Sequence, residues 1–259
     1  MRIRRLALAG LGLATALLVG VGGCGTDAGG NGSSSDKAAD SASQQSALEA
    51  LTAAGKKLGE DTFKMQMTLT DGVTATGVID PAGKKSSLTL DFSDEEGEFK
   101  IDAIVIGDDA YVKLAGMPMM PDKWMHLTGS SANSESILGR LKSDDPTRFG
   151  DLSAGLITVE RDGDRGFKGT IDLTKTKETV DEETVKALGD KASAVPFTAK
   201  VDDQGRLVEM VIDMSAIDPK LGKMTTTYSD FGAPVDIKAP PASEIMEAPE
   251  GMLDAPLSS

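Results

Sequence analysis

Three kinds of side chain in this chain can do chemistry and are placed pointedly enough to weigh: a single cysteine, a single histidine and several clustered carboxylates. Cys24 closes the stretch "VGGC". His126 sits in "WMHLT", alternating with Trp124. With one imidazole and one thiol, Ser-His-Asp or Cys-His catalysis has no imidazole to use except His126. Zinc needs three or four Cys, His or carboxylate ligands, and no such cluster is spelled out. The acidic patches "ERDGDRG" and "VDDQG" lack the D-x-D-x-D-G frame and the closing glutamate of a calcium loop. Both fall between expected strands and read as hairpin turns, while His126 reads as a strand residue beside a tryptophan. The expectation is no metal, no cofactor and no enzyme. A pair of carboxylates about 5 to 9 Å apart would reopen glycoside hydrolysis, although one Trp and two Tyr offer few rings on which sugars stack.

Cys24 has a different chemistry. "MRIRR" carries three arginines and no acid. The run from Leu6 to Gly23 is 18 residues long, five of them glycine. A charged start, a short apolar core and a small-residue exit describe a secretory signal peptide; a spanning helix would want about 20 strongly apolar residues. "VGGC" resembles the bacterial lipobox, in which a diacylglyceryl group alkylates the thiol and cleavage leaves the cysteine as the first residue. Lipidation turns a soluble domain into an anchored one. The expected layout is a signal peptide at 1–23, a lipidated Cys24 with a flexible tether to 45, a folded domain at 46–238 and a loose Pro-rich tail at 239–259. The tether, rich in Gly, Ser, Ala and Asp, reaches roughly 25 Å.

After removal of the signal, 24 basic side chains face 41 acidic ones, a formal charge of −17. Such a surface repels nucleic acid, so none is expected as a partner. No second cysteine exists for a disulfide, and the exported domain must rest on its apolar core.

The elements that hold any site follow from periodicity. "SALEALTAAGKKLGE" has helical spacing, with Leu48, Leu51 and Leu58. "TFKMQMTLT" then alternates, with Phe63, Met65, Met67 and Leu69 on one face and Lys64, Gln66, Thr68 and Thr70 on the other. This is the mark of a strand with one buried face. "SSLTLDF" repeats it with Leu88, Leu90 and Phe92, and "EFKIDAIVIG" with Phe99, Ile101, Ala103 and Val105. "AYVKL" and "KWMHL" are two further strands, followed by a helix carrying Ile137, Leu138 and Leu141. "LITVERDG" and "RGFKGTIDL" are strands, and "VDEETVKALGDKA" is a helix with Val185 and Leu188 inward. "PFTAKVDD", "RLVEMVIDM" and "KMTTTYSDFG" close the domain. A weak repeat, "VIDPAGKKSSLTLDF" and "KVDDQGRLVEMVIDM", sets Leu88, Leu90 and Phe92 level with Met210, Ile212 and Met214. Asp and Gly form the turn in each copy.

Eleven methionines remain against seven phenylalanines. Methionine suits surfaces that must fit irregular apolar shapes, and it also fills ordinary cores. About ten strands and three short helices leave the dry face of an antiparallel sheet incompletely covered.

The lipobox, the tether, the meander with "AYVKL…KW", "VDDQGRLVEMVIDM" and the closing "YSDFGAPVDIKAPPASEI" resemble the actinobacterial LppX/LprA/LprF/LprG lipoproteins. The resemblance covers nearly the whole folded region through loose motifs. It implies an α+β fold, with a strongly curved antiparallel half-barrel, helices on its concave side and an apolar cavity between them for acylated lipids or glycolipids. The expected lining is Phe63, Met65, Met67, Leu69, Leu88, Leu90 and Phe92, then Ile101 and Ala103, then Met210, Ile212 and Met214. Ile137, Leu138 and Leu141 are expected to cover it. The expected function is lipid binding and transport from the extracytoplasmic face of the cell membrane, with an envelope transporter as a further partner. A lipoprotein that supports an envelope transporter or enzyme without a ligand of its own is the other expectation, which a well-filled core would favour.

Overall fold

The computed structural model describes residues 34–69, 72–94, 97–116, 121–127, 145, 147, 149–176 and 189–247. Cys24 and the expected signal peptide lie outside these residues, as do Ile137, Leu138, Leu141, Val185 and Leu188 and the methionines at 117, 119 and 120.

The chain opens with α1 (Ser34–Lys56) and a 3-10 turn at Lys57–Gly59. Six strands follow: β1 (Phe63–Thr68), β2 (Val73–Asp80), β3 (Lys85–Asp94), β4 (Gly97–Ile106), β5 (Asp109–Ala115) and β6 (Trp124–Leu127). After α2 (Phe149–Ala154) come β7 (Leu156–Asp162), β8 (Gly166–Ile171), β9 (Val195–Val201), β10 (Leu207–Asp213), β11 (Lys223–Ser229) and β12 (Ile245–Glu247). All twelve join one open sheet in the order β12-β6-β5-β4-β3-β2-β1-β11-β10-β9-β8-β7. The fold is thus a sheet-rich α+β arrangement with few helices.

Four features depart from the sequence reading. First, α1 begins at Ser34, inside the expected tether. Residues 34–45 contain alanine and glutamine and no Gly or Pro, so nothing local stops the helix once it is nucleated further on. Second, β2 is a full strand of eight residues. Third, α2 is an extra helix of six residues. Fourth, the expected loose tail supplies β12, which pairs with β6 in parallel, so the sheet is mixed rather than purely antiparallel. Six antiparallel steps separate β11 from β6. Hence β11 and β12 run the same way, and residues 230–244 must carry the chain back along the length of the sheet. Thr62 pins the start of that return, its carbonyl accepting from Gly232 N and its hydroxyl donating to Ala233 O. Ile237 and Pro240 are buried within it.

The turns behave as their residues require. In the β2–β3 hairpin Asp80 accepts from Gly83 N. In the β9–β10 hairpin Asp202 accepts from Gln204 N and Arg206 N, with Gly205 at φ +69°. The two repeated segments are therefore both hairpins.

One apolar cluster lies beneath α1. The helix contributes Ala47, Leu51 and Ala54, and the 3-10 turn adds Leu58, at the i, i+4, i+7 spacing of one helical face. They pack with Phe63, Val159, Phe167, Ile171, Phe197, Leu207 and Ile212. A second, smaller cluster holds Ala103, Val105, Ala110, Val112, Met125 and Leu127 on β4–β6.

Candidate functional site

Register shows which side chains share a face. Met65 is level with Tyr228 on β11 and Gly77 on β2; Gly77 is level with Leu88, Leu88 with Ala103, Ala103 with Val112, Val112 with Met125 and Met125 with Met246. Next to this row runs a second, Thr226–Met67–Ala75–Leu90–Ile101–Leu114. On the far side of β11, Met210 is level with Thr226 and Ile212 with Met224. The strand residues picked out by alternation thus share one face, here called the inner face. Gly77 has a packing reason: a Cβ there would lie 2.5 Å from a methyl of Leu88.

Their surroundings differ. Phe63, Ala103, Met210 and Ile212 are 0%, 2%, 3% and 1% exposed and are closely packed. Met65, Leu88 and Met214 are partly buried against the cluster beneath α1. Met214 belongs to a 3-10 turn at Met214–Ala216 and Leu69 lies just past β1, so neither sits in a regular strand. Met67, Leu69, Leu90, Phe92 and Ile101 are half-buried. Phe99 and Leu114 share that state and were not among the expected lining residues. Phe99 is level with Phe92 and stacks on it at 5.6 Å. Their membership in alternating strands was visible, but their place in the lining needed the register. Half-buried apolar side chains are therefore concentrated on β3, β4 and β5.

The opposite, outer face is mostly polar on β1–β3 and carries Ile104, Tyr111 and Trp124 on β4–β6. His126 lies there, level with Tyr111 and stacked on it at 4.7 Å, with Nε2 2.9 Å from an Asp109 carboxylate oxygen. No third catalytic partner is needed to explain this geometry. Lys113 pairs with Asp122 at 2.7 Å, a hydrogen bond that holds the ammonium above its ordinary pKa. A shallow groove of about 360 Å³ crosses β11, β1, β2 and β3 on this face, among Gln66, Thr76, Thr89 and Thr227.

Carboxylates elsewhere serve the fold. Asp172 is held below the usual range by the Thr174 hydroxyl, with help from Thr174 N and Lys175. Burial pushes Asp202 up, but hydrogen bonds from Arg206 and Gln204 outweigh it and leave the carboxyl lowered. Ser215 and Lys223 lower Asp213. Burial raises the Tyr228 phenol. Among the described residues no three His, Cys, Asp or Glu side chains come together as a metal site, and no helix is long and apolar enough to cross a membrane.

No family model matches the chain, and no curated protein is significantly similar to it.

Proposed function

We propose that this protein is a membrane-anchored lipoprotein of the cell envelope, lipidated at Cys24, that binds acylated lipids or glycolipids and carries or presents them across the envelope. The ligand's chains lie on the inner face of β3–β5, in an apolar space bounded by a curved sheet and its helices. One observation carries this reading. The inner face is largely apolar from β7 to β12, and its β3–β5 part keeps Leu90, Phe92, Phe99, Ile101 and Leu114 half-buried where the part under α1 is closed. Each methylene removed from water there contributes about 0.8 kcal/mol, so a few turns of acyl chain give substantial affinity without any polar anchor. The acidic exterior keeps the carrier soluble beside the membrane, and the resemblance to LppX/LprA/LprF/LprG lipoproteins points the same way. The role is binding, not catalysis: His126 holds Asp109 and Tyr111 in place.

The test is native mass spectrometry of the full chain extracted from membranes. Acyl-lipid adducts beyond the Cys24 anchor are expected, and they should be lost when Ile101→Glu places a charge on the face. Anchoring is read separately, by loss of a fatty-acid label in Cys24→Ser. A chain that carries no adduct, with Ile101→Glu indistinguishable from the parent, contradicts the lipid reading. That result would favour the partner-supporting lipoprotein, for which the close packing beneath α1 is the supporting observation.

A further inference from the structure

The layer between α1 and the sheet is closed along most of its length, with Ala47, Leu51, Phe63, Ile171, Val195 and Leu207 all 0% exposed. A cleft opens into it at the C-terminal end of α1. This cleft, about 220 Å³, lies between α1, α2 and the β2–β3 turn at Pro81. Leu58 and Phe149 form part of its wall, and both belong to the core cluster beneath α1. Its polar lining includes Lys56 and Asp145, one charge of each sign.

Phe149 is held there in an unusual way. It is 4% exposed, yet it belongs to a helix of only six residues. Its ring presses into α1 at Gly55, where a Cβ would lie 1.9 Å from it. A glycine inside a helix costs about 1 kcal/mol relative to alanine, so α1 gives up propensity to seat this one ring. An apolar void of roughly 150 Å³ holds a benzene molecule; this cleft accommodates somewhat more, but not a two-chain lipid. Moving the ring off Gly55 would extend the cleft into the layer beneath α1.

We propose that this cleft binds the end of a single-chain amphiphile with a net-neutral head group, and that the Phe149 ring forms its floor. The opposite charges of Lys56 and Asp145 and the chain's overall negative charge disfavour an anionic head. This inference rests on the lipid-binding reading above and deepens it, by giving one chain an entry separate from the β3–β5 face.

The probe is a photoreactive monoacylglycerol added to membranes holding the full chain, with the label mapped by peptide mass spectrometry. In the parent, label is expected on the α1 and α2 peptides. Thr52→Trp fills the cleft from its rim and should lower that yield at least tenfold. Ser153→Trp does the same from α2, so a folding defect in one variant leaves the other informative. Phe149→Ala should raise the yield at least threefold. No α1 or α2 label in the parent, or a yield equal to the parent's in both tryptophan variants, overturns the inference. If lipid adducts are nonetheless present and are lost in Ile101→Glu, only the cleft is wrong. If adducts are absent too, the broader reading fails with it.

Discussion

Beneath α1, Phe63, Phe167, Phe197 and Ile212 are no more than 2% exposed. On the same face of the same sheet, Leu90, Phe92, Phe99 and Leu114 are only half-buried. The alternation that produces the two regions is alike, so the strands themselves do not make the difference. Cover does. The apolar stripe of α1 runs from Ala47 to Leu58, which at 1.5 Å per residue is about 17 Å. Strands lie about 4.8 Å apart, so such a stripe shelters three or four of them. Accordingly α1 packs mainly on β7 and touches β10. Twelve strands would span roughly 50 Å if laid flat. At one end of β4–β6, Ala103, Val105, Ala110, Val112, Met125 and Leu127 form a second buried cluster that includes no residue of α1, and the half-buried Phe99, Ile101 and Leu114 lie toward the other end of these strands.

The comparison can be broken by mutation. The largest effect is expected for Leu51→Ala, which should cost about 2–5 kcal/mol in denaturant unfolding because the closed layer cannot collapse around the void. Leu90→Ala on the half-buried side should cost only about 1 kcal/mol. Equal losses would mean that both regions are packed alike. Ala103→Trp comes next. Ala103 sits within the second cluster, so the indole should overpack it and destabilise by about 1–3 kcal/mol. Leu90→Trp, two positions along β3 from Ala103's partner Leu88, should leave stability within about 1 kcal/mol of the parent and displace lipid. A smaller effect is expected from Asp172→Ala, about 1 kcal/mol through loss of the cap on Thr174 N. Asp172, Asp202 and Asp213 all have lowered folded pKa values. Their contribution is therefore complete above the unfolded carboxylate value near pH 4 and is lost as pH falls through their lower folded values. Unfolding midpoints measured from pH 6 to pH 2 should drop below about pH 4, and less steeply in the Asp172→Ala variant. Last, His126→Ala removes an outer-face stack on Tyr111 and should cost about 1 kcal/mol, with lipid occupancy unchanged. A large fall in occupancy would place the outer face in the site.

Much of this was legible along the chain. β1, β3 and β10 announce themselves because Phe63, Met65 and Met67, then Leu88 and Leu90, then Met210 and Ile212 alternate with polar residues. β2 is harder to read: "VTATGVID" puts Ala75 and Gly77 on the inner face, and small residues carry little hydrophobic signal. β12 is three residues long in a Pro-rich segment and exists because β6 offers an open edge, a long-range fact. The early start of α1 was hidden for the opposite reason, since Ser34–Gln45 is polar enough to read as a tether yet has nothing that breaks a helix. At the candidate site, alternation identified the face but not its state. That Met210 and Ile212 are sealed depends on their lying in the cluster beneath α1, which no local pattern encodes. The seat of Phe149 on Gly55 was likewise invisible, because a lone glycine in a helical stretch does not name the ring it makes room for.

The most direct measurement of the central claim is photolabelling by lipids that carry a diazirine at the end of the acyl chain, incorporated metabolically and mapped by peptide mass spectrometry on the full chain. The claim that β3–β5 is the lipid-bearing face requires label on Leu90, Phe92, Phe99, Ile101 or Leu114, and none on the β8–β10 residues Phe167, Phe197 and Ile212. Label spread equally over both regions, or confined to outer-face residues such as Gln66 and Thr76, would contradict it.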